Sequence, residues 1–537
     1  MSSLDDIERR INERMAEIDR RLGGIVGGGN AAPPSSTGCP RGGLPPPEGV
    51  LAPLNPEYTS WERGAQRAVG SEFGLVPQPF DFSYLGCLPA RFSAARPAKT
   101  FPSRFDLRTE RALMPVRDQA PYGTCWAHAA LASMESCIMR QTGECPDFSE
   151  NNLVNLCGFD ARKANGFNDG GTADMASAYL LRWNGPVLER DDPYGRPGQS
   201  EARLPAWHLQ RVRWIPQMRD ASDTAGIKEA VQNGGAVWIG YVHDHSPRAY
   251  RKDTAAFYLA GEQSPQSGGH AVTIVGWDDA FPASSFAVTP PGNGAWIVRN
   301  SWGTGWGDGG YFYVSYHDRT FGRWGLPAYV FDGAEQTTNY DDVFQYDELG
   351  LVTSLGDGER AVAANVFATT RDIDVEAVGS YFLVPGTSYR ISVHVGCSPE
   401  DPSSGTPAGD TSGVQEWAGY DTIRLSSPVH VPAGTRFSVV VELTTPGMKR
   451  PIPVELAVGP RRTGKAQAMP GQSFFMCDSQ WYDMTQLEKT LNFCCKAYVK
   501  FCQGGDRAWK RFCNKCGTYT YTESSTGGKC RKCGAWL

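Results

Sequence analysis

The residues best suited to covalent chemistry lie around a cysteine in residues 118–134. Turn-forming Pro121 and Gly123 precede Cys125, and small and apolar residues suited to a helix follow it. A thiol at the first turn of a helix lies beside unpaired backbone N–H groups and at the positive end of the helix dipole. Both favour the thiolate, the reactive form of cysteine. Cys125 is therefore a candidate nucleophile, although a free cysteine alone is more often an inert core residue.

Two later segments contain the polar groups that a thiolate nucleophile uses. His270 follows a glycine pair and precedes an apolar run typical of a strand, and Asn300 follows a second apolar run. A histidine can move protons to and from reacting groups, and an amide can orient its imidazole. His128 is closer to Cys125 in sequence, but its position inside the predicted helix favours packing beneath the site.

These segments resemble the papain-like cysteine peptidases over residues 101–332. Gln119 lies six positions before Cys125, and His270 and Asn300 follow in the order and at the distances of that family. Residues 148–154, the pair Gly170-Gly171 and residues 309–311 are similar to further family segments. The resemblance implies an α+β fold, a two-lobed catalytic domain with a helical lobe and a β-barrel lobe, and cysteine endopeptidase activity.

The resemblance also implies a role for each of four catalytic residues. The Cys125 thiolate attacks the scissile carbonyl, and His270 protonates the leaving amine and then activates water. Asn300 orients the imidazole. The Gln119 side chain and the Cys125 backbone N–H form an oxyanion hole, worth roughly 3 kcal/mol per donor. Hydrolysis is the expected outcome, but the same acyl-enzyme would ligate peptides wherever an amine reacts before water.

The substrate cleft is implied by the same resemblance. Backbone groups of Gly170 and Gly171 would bind an extended substrate like an added strand. Small residues around the pocket for the second residue before the cut predict room for a bulky apolar side chain. Trp302 is expected to lie over the contact between His270 and Asn300. The expected substrate-binding residues are Gly170, Gly171, Thr172, Ala173, Gly268, Gly269, Ala271 and Trp302.

The sequence departs from the family at a disulfide beside the nucleophile. Tyr122 and Asn168 stand where the family has the two cysteines of that bond. Because both are replaced, the bond is dispensed with, and its absence fits a chain that meets no oxidising compartment. Cys157 falls one position from another usual disulfide cysteine, and no pairing is predicted for it.

The segments before the catalytic domain leave several alternatives open. Residues 1–22 carry an apolar stripe on a charged helix, which either docks on its own protein or self-associates. Residues 23–53 are rich in Gly and Pro and predict a flexible linker. Within 54–100, the stretch 74–85 is expected to be extended because of its prolines. It either blocks the cleft as a propeptide, which would make the chain a zymogen, or braces the domain.

Residues 340–503 contain short apolar runs separated by Gly, Pro, Asp and Ser turns, which predicts an all-β sandwich. Several of these runs are similar to the lectin-like β-domain of bacterial and archaeal papain-like peptidases. That name implies a glycan or protein ligand, but a purely structural companion domain fits the sequence equally well. An alternative hypothesis is that the β-domain and the carboxy-terminal ribbon described below bind a glycan or protein, while residues 54–100 silence the peptidase fold.

The last segment, 508–537, predicts a zinc ribbon. Two Cys-x-x-Cys pairs, each followed by glycine, offer the four thiolates that tetrahedral Zn²⁺ prefers, and so short a segment cannot fold on its own core. A redox dithiol pair is the alternative. One structural zinc is expected, with no cofactor for catalysis. The predicted ligands are Cys513, Cys516, Cys530 and Cys533.

Bulk composition limits the remaining function classes. The 537 residues suggest two to four domains, and the formal net charge of −6 predicts no nucleic-acid partner. No apolar run approaches the ~20 residues of a membrane span. The amino terminus lacks the apolar segment of a secretory signal. We therefore expect a polypeptide substrate, no membrane span, and a protein that is intracellular or exported by a non-standard route.

Overall fold

The computed structural model describes residues 49–63, 73–86, 100–159, 166–459 and 463–502, and the backbone of 509–512 and 519–522. Among these residues no helix is both long and apolar enough to cross a membrane. The helices are α1 Pro56–Glu62, α2 Ser83–Gly86, α3 Cys125–Thr142, α4 Glu150–Leu156, α5 Ala173–Leu181 and α6 Ala225–Asn233.

The strands divide between the first and second halves of the described chain. Those of the first half are β1 Arg104–Asp106, β2 His208–Leu209, β3 Arg211–Ile215, β4 Val237–Asp244, β5 Tyr250–Arg251, β6 Ala256–Phe257, β7 Ser267–Asp278, β8 Ala295–Arg299, β9 Tyr311–Ser315, β10 Ala328–Val330 and β11 Ala334–Glu335. Those of the second half are β12 Asp342–Phe344, β13 Thr353–Leu355, β14 Arg360–Ala368, β15 Ile373–Phe382, β16 Thr387–Val395, β17 Thr406–Gln415, β18 Ala418–Val431, β19 Arg436–Thr444, β20 Ile452–Glu455, β21 Ser473–Cys477, β22 Gln480–Asp483, β23 Asn492–Phe493 and β24 Cys495–Phe501.

Helix α3 is the centre of the helical lobe. It begins at Cys125 and ends before Gly143, whose φ of 77° gives the left-handed cap common at helix ends. Its alanines allow close approach, so the helix is buried against β7 on one side and α5 and α4 on the other. The Ser149 hydroxyl accepts from Asn152 N at 2.9 Å and caps α4. The helical lobe therefore fixes the position of Cys125 rigidly.

One sheet of thirteen strands runs through both halves of the described chain. Its order is β12-β24-β15-β18-β3-β10-β4-β7-β8-β9-β6-β5, and β1 pairs with β7. The catalytic strands β4, β7, β8 and β9 are antiparallel neighbours within it. The strands of the predicted β-lobe and those of the following β-rich domain are thus parts of one hydrogen-bonded structure.

Strands β3 and β18 join the two domains directly. Residues 418–421 pair antiparallel with residues 211–214. The buried Trp214 ring of β3 stacks on Tyr381 of β15 with their centroids 5.9 Å apart. The predicted boundary near residues 332–340 is therefore a change of topology within a shared core. Pairing between strands that are remote in sequence leaves no local pattern, so two separate domains were predicted from the sequence.

The β-rich domain is a sandwich, as predicted. A second sheet of six strands, in the order β17-β16-β19-β14-β21-β22, packs over β15, β18 and β24. Alternate residues of β16 and β19, such as Ile391 and Val439, are fully buried between the sheets. They face Val375 and Val499 from the shared sheet in one apolar cluster.

The described residues before residue 100, 49–63 and 73–86, pack on both domains. In α1, Tyr58 and Trp61 are buried in the apolar cluster of the β-sandwich. Residues 73–82, hereafter the covering segment, are mostly extended, but the chain then turns into α2 rather than staying extended to residue 85. The Asp81 carboxylate accepts from Ser83 N at 2.9 Å and starts that turn.

The covering segment ends in the seam between the two domains. Its Phe82 ring meets Trp214 edge-on, with the centroids 4.8 Å apart, and also approaches Tyr329. Both phenylalanines of the segment, Phe80 and Phe82, are buried. The helix expected over residues 1–22, residues 23–48 of the linker expected over 23–53, and the four ribbon cysteines lie outside the described residues. A flexible linker is wrong for the end of that stretch, because Val50 is buried and Leu51 forms a β-bridge with Leu355.

Candidate active site

Cys125 is the first residue of α3 and has no exposed surface. The backbone N–H of Ala271 donates to its sulfur at 3.4 Å. Because Ala271 follows His270 directly in β7, and β7 packs against α3, this contact holds the thiol beside the imidazole. The helix start and the strand predicted separately from the sequence meet at this point.

His270, Asn300 and Trp302 form the second part of the site. The imidazole Nε2 lies 2.8 Å from Asn300 Oδ1. That oxygen also accepts from Ser301 N at 2.8 Å, which fixes the amide with its oxygen toward the ring. Nε2 must therefore donate, and Nδ1 remains basic. Nδ1 makes no hydrogen bond to the described residues.

Trp302 covers the imidazole as expected. Its indole stacks on the His270 ring with centroids 4.6 Å apart and planes 20° apart. The ring excludes water from one face of the imidazole, so its hydrogen bond to Asn300 lies in a dry environment, where it is stronger.

Gln119 is held next to the same loop. Its backbone N–H donates to Ser301 O at 2.8 Å, and its Oε1 accepts from the Ser301 hydroxyl at 2.7 Å. One hydrogen of Nε2 goes to Tyr122 O at 3.0 Å. An amide NH₂ has two hydrogens, and the second is the one that an oxyanion hole requires.

A buried ion network anchors the chain just before Gln119. Arg117 lies 2.6 Å from Glu135 of α3 and also pairs with Glu150 and Asp147. No local sequence pattern predicts this network, because its members are distant in the chain. His128 packs beneath the site as expected, with its ring edge-on to Tyr194 and its Nδ1 3.1 Å from Thr124 O.

The nucleophile and the base are both neutral in this covered state. Burial raises the pKa of Cys125 to about 12, although backbone N–H groups, including those of Ala271 and Gly74, oppose the rise. Burial also lowers the pKa of His270 to about 3, against the hydrogen bond to Asn300. The expectation of a thiolate at the helix terminus is therefore wrong for the covered site. The loss of hydration raises the pKa of Cys125 by more than the helix terminus lowers it.

The covering segment lies along the cleft. Gly171 N donates to Gly74 O at 2.8 Å, and Val76 N donates to Gly171 O at 3.2 Å. On the opposite wall, Leu75 N donates to Gly269 O at 3.1 Å. Gly171 and Gly269, both expected to bind substrate, thus bind the protein's own chain. A Cβ on Gly171 would lie 2.3 Å from the Trp126 ring, so this position requires glycine.

Gly74 is the point of closest approach to the nucleophile. A Cβ added there would lie 2.0 Å from Gly123 O and 3.1 Å from Cys125 Sγ, so a larger residue cannot occupy this place unchanged. Its carbonyl oxygen accepts from Gly171 N. The backbone of the covering segment therefore lies directly against the thiol.

The side chains of the covering segment mark two pockets. The Phe73 ring lies against Gly268 and 5.3 Å from the His245 ring, on the His270 side of Cys125. Leu75 fills a pocket on the other side, where its Cδ2 would lie 2.6 Å from a Cβ on Gly240. His245 and Gly240 were not predicted, because neither stands in a motif.

The remaining predicted substrate residues lie further along the same cleft. Thr172 caps α5 through its hydroxyl, which accepts from Met175 N at 3.3 Å, and it lines a cavity together with Pro77 and Pro79. Ala173 is buried in the same apolar cluster as Leu75. A Cβ on Gly170 would lie 2.6 Å from Gly74 O.

Non-covalent contacts replace the disulfide that the sequence lacks. Gly123 N donates to Asn168 Oδ1 at 2.6 Å, and the Tyr122 ring packs edge-on to Phe167 with centroids 4.9 Å apart. These contacts link the same two loops that the bond would have joined. Among the described residues, Cys125, Cys137 and Cys145 form no disulfide.

Comparison with known proteins agrees with this geometry. Residues 101–326 match the model of the papain family cysteine proteases, and residues 343–499 match that of the lectin-like domain. A cysteine protease of Blomia tropicalis is 30% identical over 247 residues, which are 45% of this chain and 69% of the relative. The chain belongs to the papain family of cysteine proteases. Cysteine proteinase 2 of Dictyostelium discoideum is 28% identical over 40% of this protease and 63% of its own length.

The arrangement of the two domains is similar to that of a solved structure. The cysteine protease and lectin-like domains of Cwp84, a surface layer associated protein of Clostridium difficile, align with a TM-score of 0.69. The alignment covers 84% of this protease and 98% of that chain at 22% identity. A structure of the same clostridial protease after propeptide cleavage aligns with a TM-score of 0.65, over 75% and 100% at 23% identity. At these identities the likeness shows the fold.

Proposed function

We propose that this papain-family protease is an endopeptidase that cleaves polypeptides through an acyl-enzyme on Cys125. The observation that carries the proposal is the His270 ring, held by Asn300 and Trp302 with Nδ1 unbonded, beside a thiol at a helix start. Such an arrangement can transfer a proton and activate a nucleophile, and it has no other evident purpose in a packed core.

The reaction begins when the covering segment leaves and water returns to the cleft. Hydration removes the cause of both pKa shifts, so the Cys125 proton can pass to His270 Nδ1. The thiolate attacks the carbonyl, and the Gln119 side chain and the Cys125 N–H stabilise the oxyanion. His270 then protonates the leaving amine and afterwards takes a proton from the water that hydrolyses the thioester.

We further propose that the intact chain is a zymogen. The covering segment buries the nucleophile completely and occupies both walls of the cleft with backbone hydrogen bonds, so it blocks access of a substrate. Its apolar end lies in the domain seam, which anchors it. The propeptide of the clostridial protease named above is removed by cleavage.

The pocket filled by Leu75 suggests the substrate preference. Its Gly240 leaves room on one wall, and Leu326 contributes apolar surface to the same cluster. We propose that this pocket takes a leucine-sized apolar side chain, two residues before the cut. A peptide series that varies only this position, assayed after activation, tests the preference, and equal turnover of leucine and glutamate peptides would contradict it.

The test of the endopeptidase proposal is the loss of turnover in Cys125→Ala. Cleavage of a peptide substrate by activated protein should vanish, while the circular dichroism spectrum stays unchanged. Cys137→Ala is the matched control, because Cys137 is also buried on α3 but lies in the cluster away from His270. Turnover that survives in Cys125→Ala would favour the alternative hypothesis, in which the β-domain binds a ligand and the peptidase fold is silent.

We also propose that the four ribbon cysteines hold one structural zinc. Strands β25 Trp509–Phe512 and β26 Tyr519–Thr522 pair antiparallel, and the first cysteine pair lies between them in sequence. What supports the proposal is this hairpin together with a donor set of four thiolates. The double variant Cys513→Ser, Cys516→Ser should lose one zinc per chain. Unchanged zinc content would contradict the proposal.

Two earlier expectations stay predictions. Self-association through residues 1–22 and peptide ligation by the same acyl-enzyme depend on contacts and substrates outside the described residues. A groove of about 450 Å³ on the outer face of β16 and β17, lined in part by Arg390, His394 and Asp410, offers a surface for a glycan or protein ligand of the β-domain. We propose this groove as the place where such a ligand would bind.

A further inference from the structure

The outer face of the shared sheet brings together a carboxylate, an imidazole and a thiol. Asp374 on β15 lies directly across the ladder from His430 on β18. On the other side of β15, Cys502 follows the last residue of β24, and its backbone N–H donates to Asp372 O. Three neighbouring strands thus present three different side chains at one place, in the β-domain rather than in the catalytic cleft.

The three functional atoms are spaced like ligands of one ion. His430 Nδ1 is 3.1 Å from Asp374 Oδ1 and 3.5 Å from Cys502 Sγ. All three ligand atoms lie within 4.8 Å of one another. Ligands on one tetrahedral zinc at ordinary bond lengths are separated by roughly 3.3 Å for nitrogen and oxygen and roughly 3.6 Å for nitrogen and sulfur. The two separations measured from His430 Nδ1 are close to those values.

A hydrogen-bonded cluster is the alternative arrangement. One imidazole nitrogen either donates a single N–H or accepts a single bond, so Nδ1 bonds fully to only one neighbour, and Cys502 then bonds to Asp374. A cation bonded to all three atoms satisfies each of them. A thiolate and an imidazole in one site favour zinc over magnesium or calcium, which prefer oxygen ligands.

We propose that Asp374, His430 and Cys502 bind one Zn²⁺ ion, with water as the fourth ligand. The site is distinct from the predicted ribbon and shares no residue with it.

The charges around the three residues leave room for a dication. Lys500 lies opposite Asp374 in the ladder, but its Nζ donates to Thr338 O at 2.7 Å and lies 3.4 Å from Asp341 Oδ1. It is therefore occupied elsewhere. The side chains of His430 and Asp374 are 57% and 37% exposed, so an ion reaches them from solvent without a conformational change.

An ion bound here would fasten the end of β24 to β15 and β18. The chain continues from this point into the segment that contains the ribbon cysteines. Because the three ligands come together only in the folded sheet, binding would stabilise the folded state by linkage. The physical role that follows is a clip at the exit of the β-domain.

The test counts zinc in full-length protein dialysed against a fixed low concentration of free Zn²⁺. A Cys125→Ala background prevents self-cleavage. Cys502→Ser should bind one zinc fewer per chain than its parent. Cys477→Ser is the matched control, since Cys477 is another partly exposed thiol of the β-domain and belongs to no such cluster. The comparison is a difference, so it does not depend on what the ribbon holds.

Cobalt substitution gives a second readout that folding defects do not imitate. In the Co²⁺-loaded chain the thiolate-to-metal charge-transfer intensity should be lower in Cys502→Ser than in its parent, by a difference that does not depend on the ribbon, and His430→Ala should weaken binding at this site at least about tenfold. The melting temperature without metal should match the parent, because all three side chains lie at the surface. Equal zinc content in Cys502→Ser and its parent would overturn the proposal and leave a hydrogen-bonded cluster only.

Discussion

The catalytic centre and the covering segment lie in contact, yet they are held by different kinds of interaction. Side-chain hydrogen bonds fix the centre, as between Asn300 and His270. Backbone hydrogen bonds to Gly171 and Gly269 and buried aromatic rings hold the segment. Substitutions in the centre should therefore destroy the chemistry, whereas most substitutions in the segment should leave its backbone contacts intact. Catalysis and its restraint can be separated by mutation.

The largest effect should come from the base. His270→Gln should lower kcat of the activated protease on the order of 10⁵- to 10⁶-fold, because the nucleophile loses its proton acceptor and the leaving amine its proton donor. Steady-state turnover of a peptide substrate measures it. His317→Gln, at a half-buried histidine outside the cleft, should leave kcat unchanged. A loss in both variants would point to general destabilisation.

The oxyanion donor should matter less and in a more selective way. Gln119→Ala should lower kcat about 10²- to 10³-fold, because the developing negative charge loses one donor. Alkylation of Cys125 by iodoacetamide forms no oxyanion, so its rate should change far less. If alkylation fell as much as turnover, Gln119 would be supporting the position of the thiol instead.

A substitution in the covering segment should act in the opposite direction. Gly74→Val places side-chain atoms where only 2.0 Å separates a Cβ from Gly123 O, so the segment must leave the cleft. Alkylation of Cys125 in the intact chain should become at least about tenfold faster. Gly261→Val is the control, since a Cβ at that glycine meets nothing within 4 Å. Equal rates in the two variants would contradict the hypothesis that the covering segment blocks the cleft.

The smallest effect concerns an acid beneath the segment. Burial raises the pKa of Asp174 from 3.8 to about 7. Tyr329 donates to Asp174 at 3.2 Å and lies 3.4 Å from Gln78 of the segment, while Tyr84 is close enough to be affected by its charge. A raised pKa means that the folded state favours the protonated acid, so this stabilisation is complete below pH 3.8 and is lost as pH rises through about 7.

The melting temperature should accordingly fall by a few degrees between pH 4 and pH 7 in the parent chain. Asp174→Asn should remove that part of the pH dependence, because the amide does not ionise. A calorimetric series over this range checks it. Identical slopes in the two proteins would mean that Asp174 ionises without cost in the folded state.

The sequence singled out the residues of the centre because its chemistry requires particular side chains, and their catalytic roles stay predictions. Cys125, His270, Asn300 and Gln119 each stand in a recognisable motif, and the structure brings the four together around one loop and one helix start. The β-sandwich was also predictable, since apolar alternation marks each of its strands.

The role of the covering segment and the strand pairing between the two domains were only partly predictable. The prolines predicted an extended chain over residues 74–85, which the structure has only to residue 82, and whether the segment blocks or braces depends on contacts with glycines of other segments. Pairing of β18 with β3 left no local pattern at all. The protonation of Cys125 was predicted wrongly, because the helix terminus is visible in the sequence and the burial caused by the cover is not.

The most direct test of the account is the labelling of Cys125 by an epoxide probe, in the intact protein and after proteolytic release of the covering segment. Mass spectrometry locates the label. The zymogen hypothesis predicts no labelling of the intact chain, where the thiol is buried and its pKa is about 12. It predicts rapid labelling at Cys125 after release. Labelling of the intact chain at the same rate as the released one would contradict it.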